Sequence, residues 1–189
     1  MLFMVRYFIN GGSLTLDTVN FLFLFLGILL FARPTAFLNA VNDGVKVVAG
    51  ILIQYPFYAG IMGILSASGL AVAFANGFVA ISSAETLPFW SYISGGLLNL
   101  LMPSGGGQFA VQGPVMLEAA AALGADPAAT GVAVQIGDQW TNMVQPFWIL
   151  PVLAISGLKL RDVMGYMVLI LLMLGVIFAG TVLIWGYTI

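Results

Sequence analysis

The chain is 189 residues long, 61% hydrophobic and only 6% charged, with a mean hydropathy of +1.10. Soluble domains carry roughly a quarter charged residues, so this composition excludes a water-facing globule and calls for a bilayer. A net charge of −2 from scattered residues excludes a nucleic-acid face, and the absence of Cys and His removes disulfides, thiolate or imidazole metal centres and the usual catalytic bases.

The apolar runs are long and do not alternate, which suits helices and not an outer-membrane barrel. The expected fold class is therefore an all-α transmembrane, multi-span helical bundle. Residues 1–10 hold one Arg and a short apolar run, with no small-residue cleavage site before "NGGSLTLDT"; they read as the tail of an earlier span and not as a signal peptide. Residues 14–32 supply about the ~20 residues that cross a hydrocarbon core and end at Arg33-Pro34. Residues 33–46, with Asn39, Asn42, Asp43 and Gly44, are expected to form a polar surface connection. Residues 45–65 form the next span, interrupted at Gln54-Tyr55-Pro56, with Gln54 either lining a cavity or bonding to another helix.

Residues 66–87 are apolar but studded with Ser, Gly and Asn, and are read as an interfacial segment. Residues 88–123 read as a re-entrant hairpin, because arms of this length reach roughly 20 Å, short of the ~30 Å core. Gly124 is a helix stop. Residues 128–156 are long enough to cross but carry a polar belt, and residues 163–186 make a last span ending in the aromatic pair Trp185 and Tyr187. Neither an internal repeat nor a linker is visible, so residues 1–189 are expected to form a single membrane domain. Lys and Arg favour the cytoplasmic side. If residues 66–87 do not cross, the loops around Arg33 to Lys46 and Lys159 to Arg161 share that side, which gathers four of the five basic residues.

Two constellations point to chemistry. The first is "PSGGGQFAVQGP", residues 103–114. Irregular backbone is tolerated at membrane depth only where protein or a watery cavity satisfies it. Gly105, Gly106 and Gly107 are expected to turn with positive φ and let a ligand approach the main chain, with Pro114 in the first turn of the following helix. The exposed amides, the positive helix end, and Ser104, Gln108 and Gln112 as neutral donors suit a carboxylate. Glycines also serve close helix packing, and Gly95-Gly96 is read that way.

The second is the belt "QIGDQWTNMVQP". Gln135, Asp138, Thr141, Asn142 and Gln145 recur at helical spacings and are expected to share one face, with Trp140 and Met143 elsewhere. A mid-membrane carboxylate costs at least ~2.5 to 3.5 kcal/mol on insertion scales, so Asp138 is a candidate carrier of a proton or ligand of Na+. Pro146 and Pro151 are expected to break or kink this helix and free carbonyls near the belt. Glu85 and Glu118 are read as solvated, and Asp43, Asp126 and Asp162 as loop or cap residues. A discontinuous hairpin facing a broken helix is how secondary transporters build a midplane site, as one of two inverted repeats.

The stretches "LTLDTVNFLFLFLGILL", "IQYPFYAGIMG", "SSAETLPFWSYISGGLLNLLMPSGGGQFAVQGPVMLEAA" and "GDQWTNMVQPFWILPVLAISGLKLRDVMGY" together resemble the bacterial short-chain fatty acid transporter family, along nearly the whole chain. The resemblance is to the C-terminal half of that family's longer members. It implies a multi-pass inner-membrane permease for small monocarboxylates such as acetoacetate or butyrate, one repeat of an inverted-repeat, ion-transporter-like fold. On this reading the chain is not an enzyme and needs no cofactor beyond a coupling ion, Na+ or H+. Its expected partners are the carboxylate substrate, the bilayer, a missing N-terminal repeat and further copies in a homo-oligomer. The alternative from another class is a non-transporting membrane subunit or scaffold whose polar belt serves helix packing.

Overall fold

A computed structural model describes residues 2–31 and 33–188, apart from the side chains of residues 47, 51, 146, 147, 150, 151 and 154. All regular structure among the described residues is helical. The chain parts into two compact units, Met1–Ala49 and Gly50–Ile189.

The first unit holds α1 (Leu2–Ile9), α2 (Leu16–Phe31) and the start of α3 (Pro34–Ala67). Thr15 and Thr18 cap α2 reciprocally, each backbone N–H donating to the other's hydroxyl at 2.8 and 3.3 Å. The polar connection expected over residues 33–46 is instead helical from Pro34 onward. Proline is pre-set for a first helical turn and gives up no needed N–H there. The polar residues that suggested a loop sit on the helix surface, where Lys46 pairs with Asp43 at 2.8 Å.

The second unit holds the rest of α3, then α4 (Leu70–Val79), α5 (Leu87–Asn99), α6 (Gly105–Leu123), α7 (Pro127–Thr141), a 3-10 turn over Asn142–Val144, α8 (Pro146–Ser156) and α9 (Leu160–Thr188). Among the described residues, two stretches are long and apolar enough to cross a membrane, Val48–Ala67 and Leu160–Thr188. Helix α4 has 10 residues and rises ~15 Å, half of a hydrocarbon core. Helices α5 and α6 pack as an antiparallel pair joined by residues 100–104. Gln108 reaches the Gly95 carbonyl and Gln112 reaches Ser94. The second arm is longer than expected, 19 residues or ~28 Å.

Local chemistry sets the ends of these elements. Gly124 and Gly157 close α6 and α8 with φ of 75° and 73°, the left-handed conformation that costs glycine nothing. Asp126 caps α7 by accepting from the Ala129 N–H at 2.6 Å. The expected interruption of residues 128–156 is present: α7 stops at Thr141, a 3-10 turn follows, and Gln145 is extended (φ −83°, ψ 115°) before α8 begins. The roles expected of Pro146 and Pro151 side chains lie outside the described residues.

Polar side chains are buried here alongside an apolar core that includes Leu87, Leu98, Met102, Met116 and Val134. Ser91, Ser94, Asn99, Gln108, Gln112, Thr130, Asp138, Thr141 and Gln145 are buried, whereas Leu30, Ile155, Tyr166, Val176 and Ile184 are among many large apolar side chains left exposed. Soluble monomers rarely expose such patches. Polar side chains held beneath an apolar surface suit a lipid surrounding, and they position the site described next.

Candidate functional site in the helix break and the glycine tip

The site is organised by the α5–α7 crossing, where the backbones lie unusually close. A Cβ at Gly137 would collide with the Tyr92 carbonyl oxygen and come within 2.8 Å of the Gly96 nitrogen; one at Gly95 would sit 2.7 Å from the Val134 carbonyl oxygen. Gly95 and Gly96 are thus packing glycines, as read from sequence. Close approach brings side chains of one helix onto main chain of the other. The Thr141 hydroxyl donates to the Gly96 carbonyl at 2.8 Å. The Asn99 amide donates to the Asp138 carbonyl, the Thr141 hydroxyl and Asn142 Oδ1 at 2.7 to 2.9 Å. Gln145 Nε2, carried by the extended residue in the break, donates to the Asn99 carbonyl. Trp140 points away from this network, as expected, and its indole N–H donates to the Leu171 carbonyl of α9 at 2.8 Å.

The belt does not keep one environment along its length. Asp138, Thr141 and Gln145 are buried, Asn142 is half-buried and Gln135 is exposed. Gln135 still faces the tip through its Oε1, which would lie 3.7 Å from a Cβ at Gly105, and Asp138 Oδ2 would lie 3.1 Å from the same point. Asp138 therefore sits against the first residue of α6. Its other oxygen, Oδ1, has no hydrogen-bond partner. Neither ion pair among the described residues, Lys46–Asp43 nor Arg161–Asp162, involves it.

The glycine tip differs from expectation in one respect. Gly105, Gly106 and Gly107 are the first residues of α6 and are absent from the positive-φ glycines, which are Gly11, Gly69, Gly124 and Gly157. Ser104 caps the helix by accepting from the Gly107 N–H at 3.4 Å, and Pro114 lies within the helix instead of in its first turn. The glycines serve approach and not turning: Gly105 admits the Asp138 carboxylate, a Cβ at Gly107 would sit 3.1 Å from Ser104 Oγ, and Gly106 faces open space. Gln108 and Gln112 are fully buried within the pair of arms. Gln108 Nε2 donates to the Gly95 carbonyl at 2.8 Å and to Gln112 Oε1 at 3.0 Å, and Gln112 Nε2 donates to the Ser94 hydroxyl at 2.8 Å.

On the side of the tip that Ser104 and Gly105 line, a partly open cavity of about 180 Å³ is also lined by Tyr55, Tyr58, Met62 and Trp148. Drug-sized ligand pockets run from about 300 Å³ upward, so this one suits a molecule of few heavy atoms. Gln54 is half-buried on α3, one turn before Tyr58. Away from the tip, Glu85 and Glu118 are exposed; the Ser83 hydroxyl donating to Glu85 at 2.8 Å holds that carboxyl below its ordinary range. Sequence reasoning missed Asn99, whose only signal was a single amide at the end of an apolar arm. It also missed the aromatic wall, because Tyr55, Tyr58 and Trp148 come from helices far apart in the chain.

The family model for short chain fatty acid transporters matches residues 1–185. A protein of Escherichia coli (strain K12) named "Putative short-chain fatty acid transporter" is 44% identical over 177 residues, 93% of this chain and 40% of that protein. A protein of the same name from Haemophilus influenzae is 41% identical over 160 residues, 85% of this chain and 36% of that protein. The chain thus spans about two fifths of the length of the curated relatives it matches. No solved structure matches.

Proposed function

We propose, from the premise that this chain belongs to the short-chain fatty acid transporter family, that it forms the substrate-binding part of a secondary carrier for small monocarboxylates such as acetoacetate or butyrate. The observation that carries this reading is the small aromatic cavity opening on Ser104 and Gly105 at the start of α6. Helix N-termini present free N–H groups and a positive dipole end, which favour a carboxylate. The Gly105 and Gly106 amides and the Ser104 hydroxyl hold the headgroup, and Tyr55, Tyr58, Met62 and Trp148 enclose the short alkyl tail. Gln54 lies one turn before Tyr58 on α3, outside the residues that line the cavity. Gln108 and Gln112 act on the substrate indirectly, since the N–H donors of Gln108 and of Gln112 are spent holding the two arms together.

Coupling falls to the face behind Gly105: Asp138, with Thr141, Asn142 and Gln145 beside it and Gln135 at its rim, takes up H+ or Na+. A substrate carboxylate and an ionised Asp138 on either side of one glycine repel each other, so neutralising Asp138 favours substrate binding. In this proposal α5 and α6 re-enter the bilayer from the outer face of a bacterial inner membrane that the chain crosses several times, and an inverted N-terminal repeat completes the cavity.

Uptake of labelled butyrate into vesicles carrying the full-length protein tests the proposal. Asp138→Asn combined with Gly106→Leu is expected to abolish uptake, and unaltered uptake refutes the site. A rival reading, a non-transporting scaffold, draws on the fact that Asn99, Thr141 and Gln145 all bond between helices. It predicts that butyrate leaves the melting temperature in detergent unchanged, whereas a carrier is stabilised by its substrate.

A further inference from the structure

Among the described residues, four buried side-chain oxygens lack a hydrogen-bond partner: Asn99 Oδ1, Gln108 Oε1, Asp138 Oδ1 and Gln145 Oε1. Their residues are 0%, 0%, 5% and 6% exposed. All four atoms are acceptors, and no buried side-chain donor among the described residues is left in the same state. Such groups are costly when unmatched, and a packing fault would strand donors as readily as acceptors.

The amide orientations are fixed by their neighbours. Asn99 Nδ2 lies on the Asp138 carbonyl, Gln108 Nε2 on the Gly95 carbonyl and Gln145 Nε2 on the Asn99 carbonyl. A carbonyl cannot donate, so turning any of these amides over would set oxygen against oxygen. The same bonds gather the four residues in one neighbourhood. Gly95 and Asn99 are a turn apart on α5, Asp138 and Gln145 both meet Asn99, and Asp138 Oδ2 faces Gly105, one turn before Gln108.

A proton on Asp138 adds one donor and leaves most of these oxygens unmatched. A cation stripped of its water is shared by several oxygens at once, and carriers supply such oxygens at the ends of broken helices. One carboxylate neutralises one positive charge, whereas a divalent ion would leave an uncompensated charge in the interior. No group of three or more acidic, His or Cys side chains is present among the described residues to hold a divalent metal. We propose that the end of α5, the first turns of α6 and the break after α7 bind a dehydrated monovalent cation, Na+, through the Asp138 carboxylate and the amide oxygens of Asn99, Gln108 and Gln145. The proposal deepens the carrier reading by naming the coupling ion, and its occupancy is measurable without transport.

Thermal unfolding of the full-length protein in detergent, titrated with NaCl against choline chloride at constant ionic strength, tests it. Saturating Na+ is expected to raise Tm by about 5 °C, the shift a ligand well above its Kd gives a protein of this size, with KCl giving less. Asp138→Asn and Asn99→Ala are each expected to lose the Na+-dependent shift. If neither variant folds, the wild-type titration alone decides. A Tm indifferent to Na+, Li+ and K+ overturns the cation site, including the case where Tm follows pH alone; butyrate uptake that persists beside that result leaves the carrier standing. Stabilisation by Na+ without butyrate uptake supports the cation site and overturns the carrier.

Discussion

Gly137 shows how much of this interior hangs on single hydrogen atoms. The nearest neighbours of a methyl group there are backbone atoms of Tyr92 and Gly96, which cannot swing aside as a side chain can. Gly137→Ala is expected to cost about 1–3 kcal/mol, the usual range for overpacking, and to lower the melting temperature of the protein in detergent. Gly180→Ala in α9, where a Cβ would meet nothing within 4 Å, should be neutral or slightly stabilising by helix propensity. Equal effects of the two changes would remove the close α5–α7 crossing as the organising contact. The sequence marked Gly95 and Gly96 as packing residues from their place in an apolar arm. It could not mark Gly137 or Gly175 as their counterparts, because the side chains and carbonyls that need the space come from other helices.

At the level of elements, stops and caps were readable, whereas the connection expected over residues 33–46 and the interruption expected at Gln54-Tyr55-Pro56 are both helical, because α3 runs unbroken from Pro34 to Ala67 with Pro56 inside it. Gly124 as a stop, Asp126 as a cap, and a helix interrupted before Pro146 all follow from neighbours within four residues, and all are present. The start of α6 was misplaced for the opposite reason. Three glycines ordinarily argue for a turn, but Ser104 caps a helix that begins on them, and the first of them makes room for the Asp138 carboxylate, 33 positions along the chain. The capping contact offers a clean measurement. Asp126→Ala removes the acceptor for the Ala129 N–H and should cost about 1 kcal/mol of stability, whereas Asp126→Asn keeps a side-chain oxygen and should cost little. Thermal unfolding of both variants checks this; a loss as large for Asn as for Ala would mean that charge, not capping, holds α7 in place.

For the whole molecule, the all-helical build was legible in composition, while the crossing topology rests on charge counting. Residues 1–189 contain no Cys, so single cysteines introduced at Asp43 and at Lys159 report their side without background from this part of the protein. Both are expected to react with a membrane-impermeant thiol reagent only from the cytoplasm. Labelling from opposite faces would mean that residues 66–87 cross the bilayer and that the proposed hairpin topology is wrong. The relatives' greater length makes the full-length protein the proper object of transport assays.

Trp140 is wedged where a Cβ at Gly96 of α5 or at Gly175 of α9 would come within 2.8 Å of its ring. An indole seated against two bare backbones works as a rivet: α7 cannot twist or slide without dragging both neighbours along. Under the proposed carrier reading, these three helices would move as one block, and bending would fall on the extended residue at the break, Gln145, whose side chain is also tied to α5. In that proposal the lever for alternating access and the seat of the ion share one residue, and the arrival of a cation would be felt directly at the pivot.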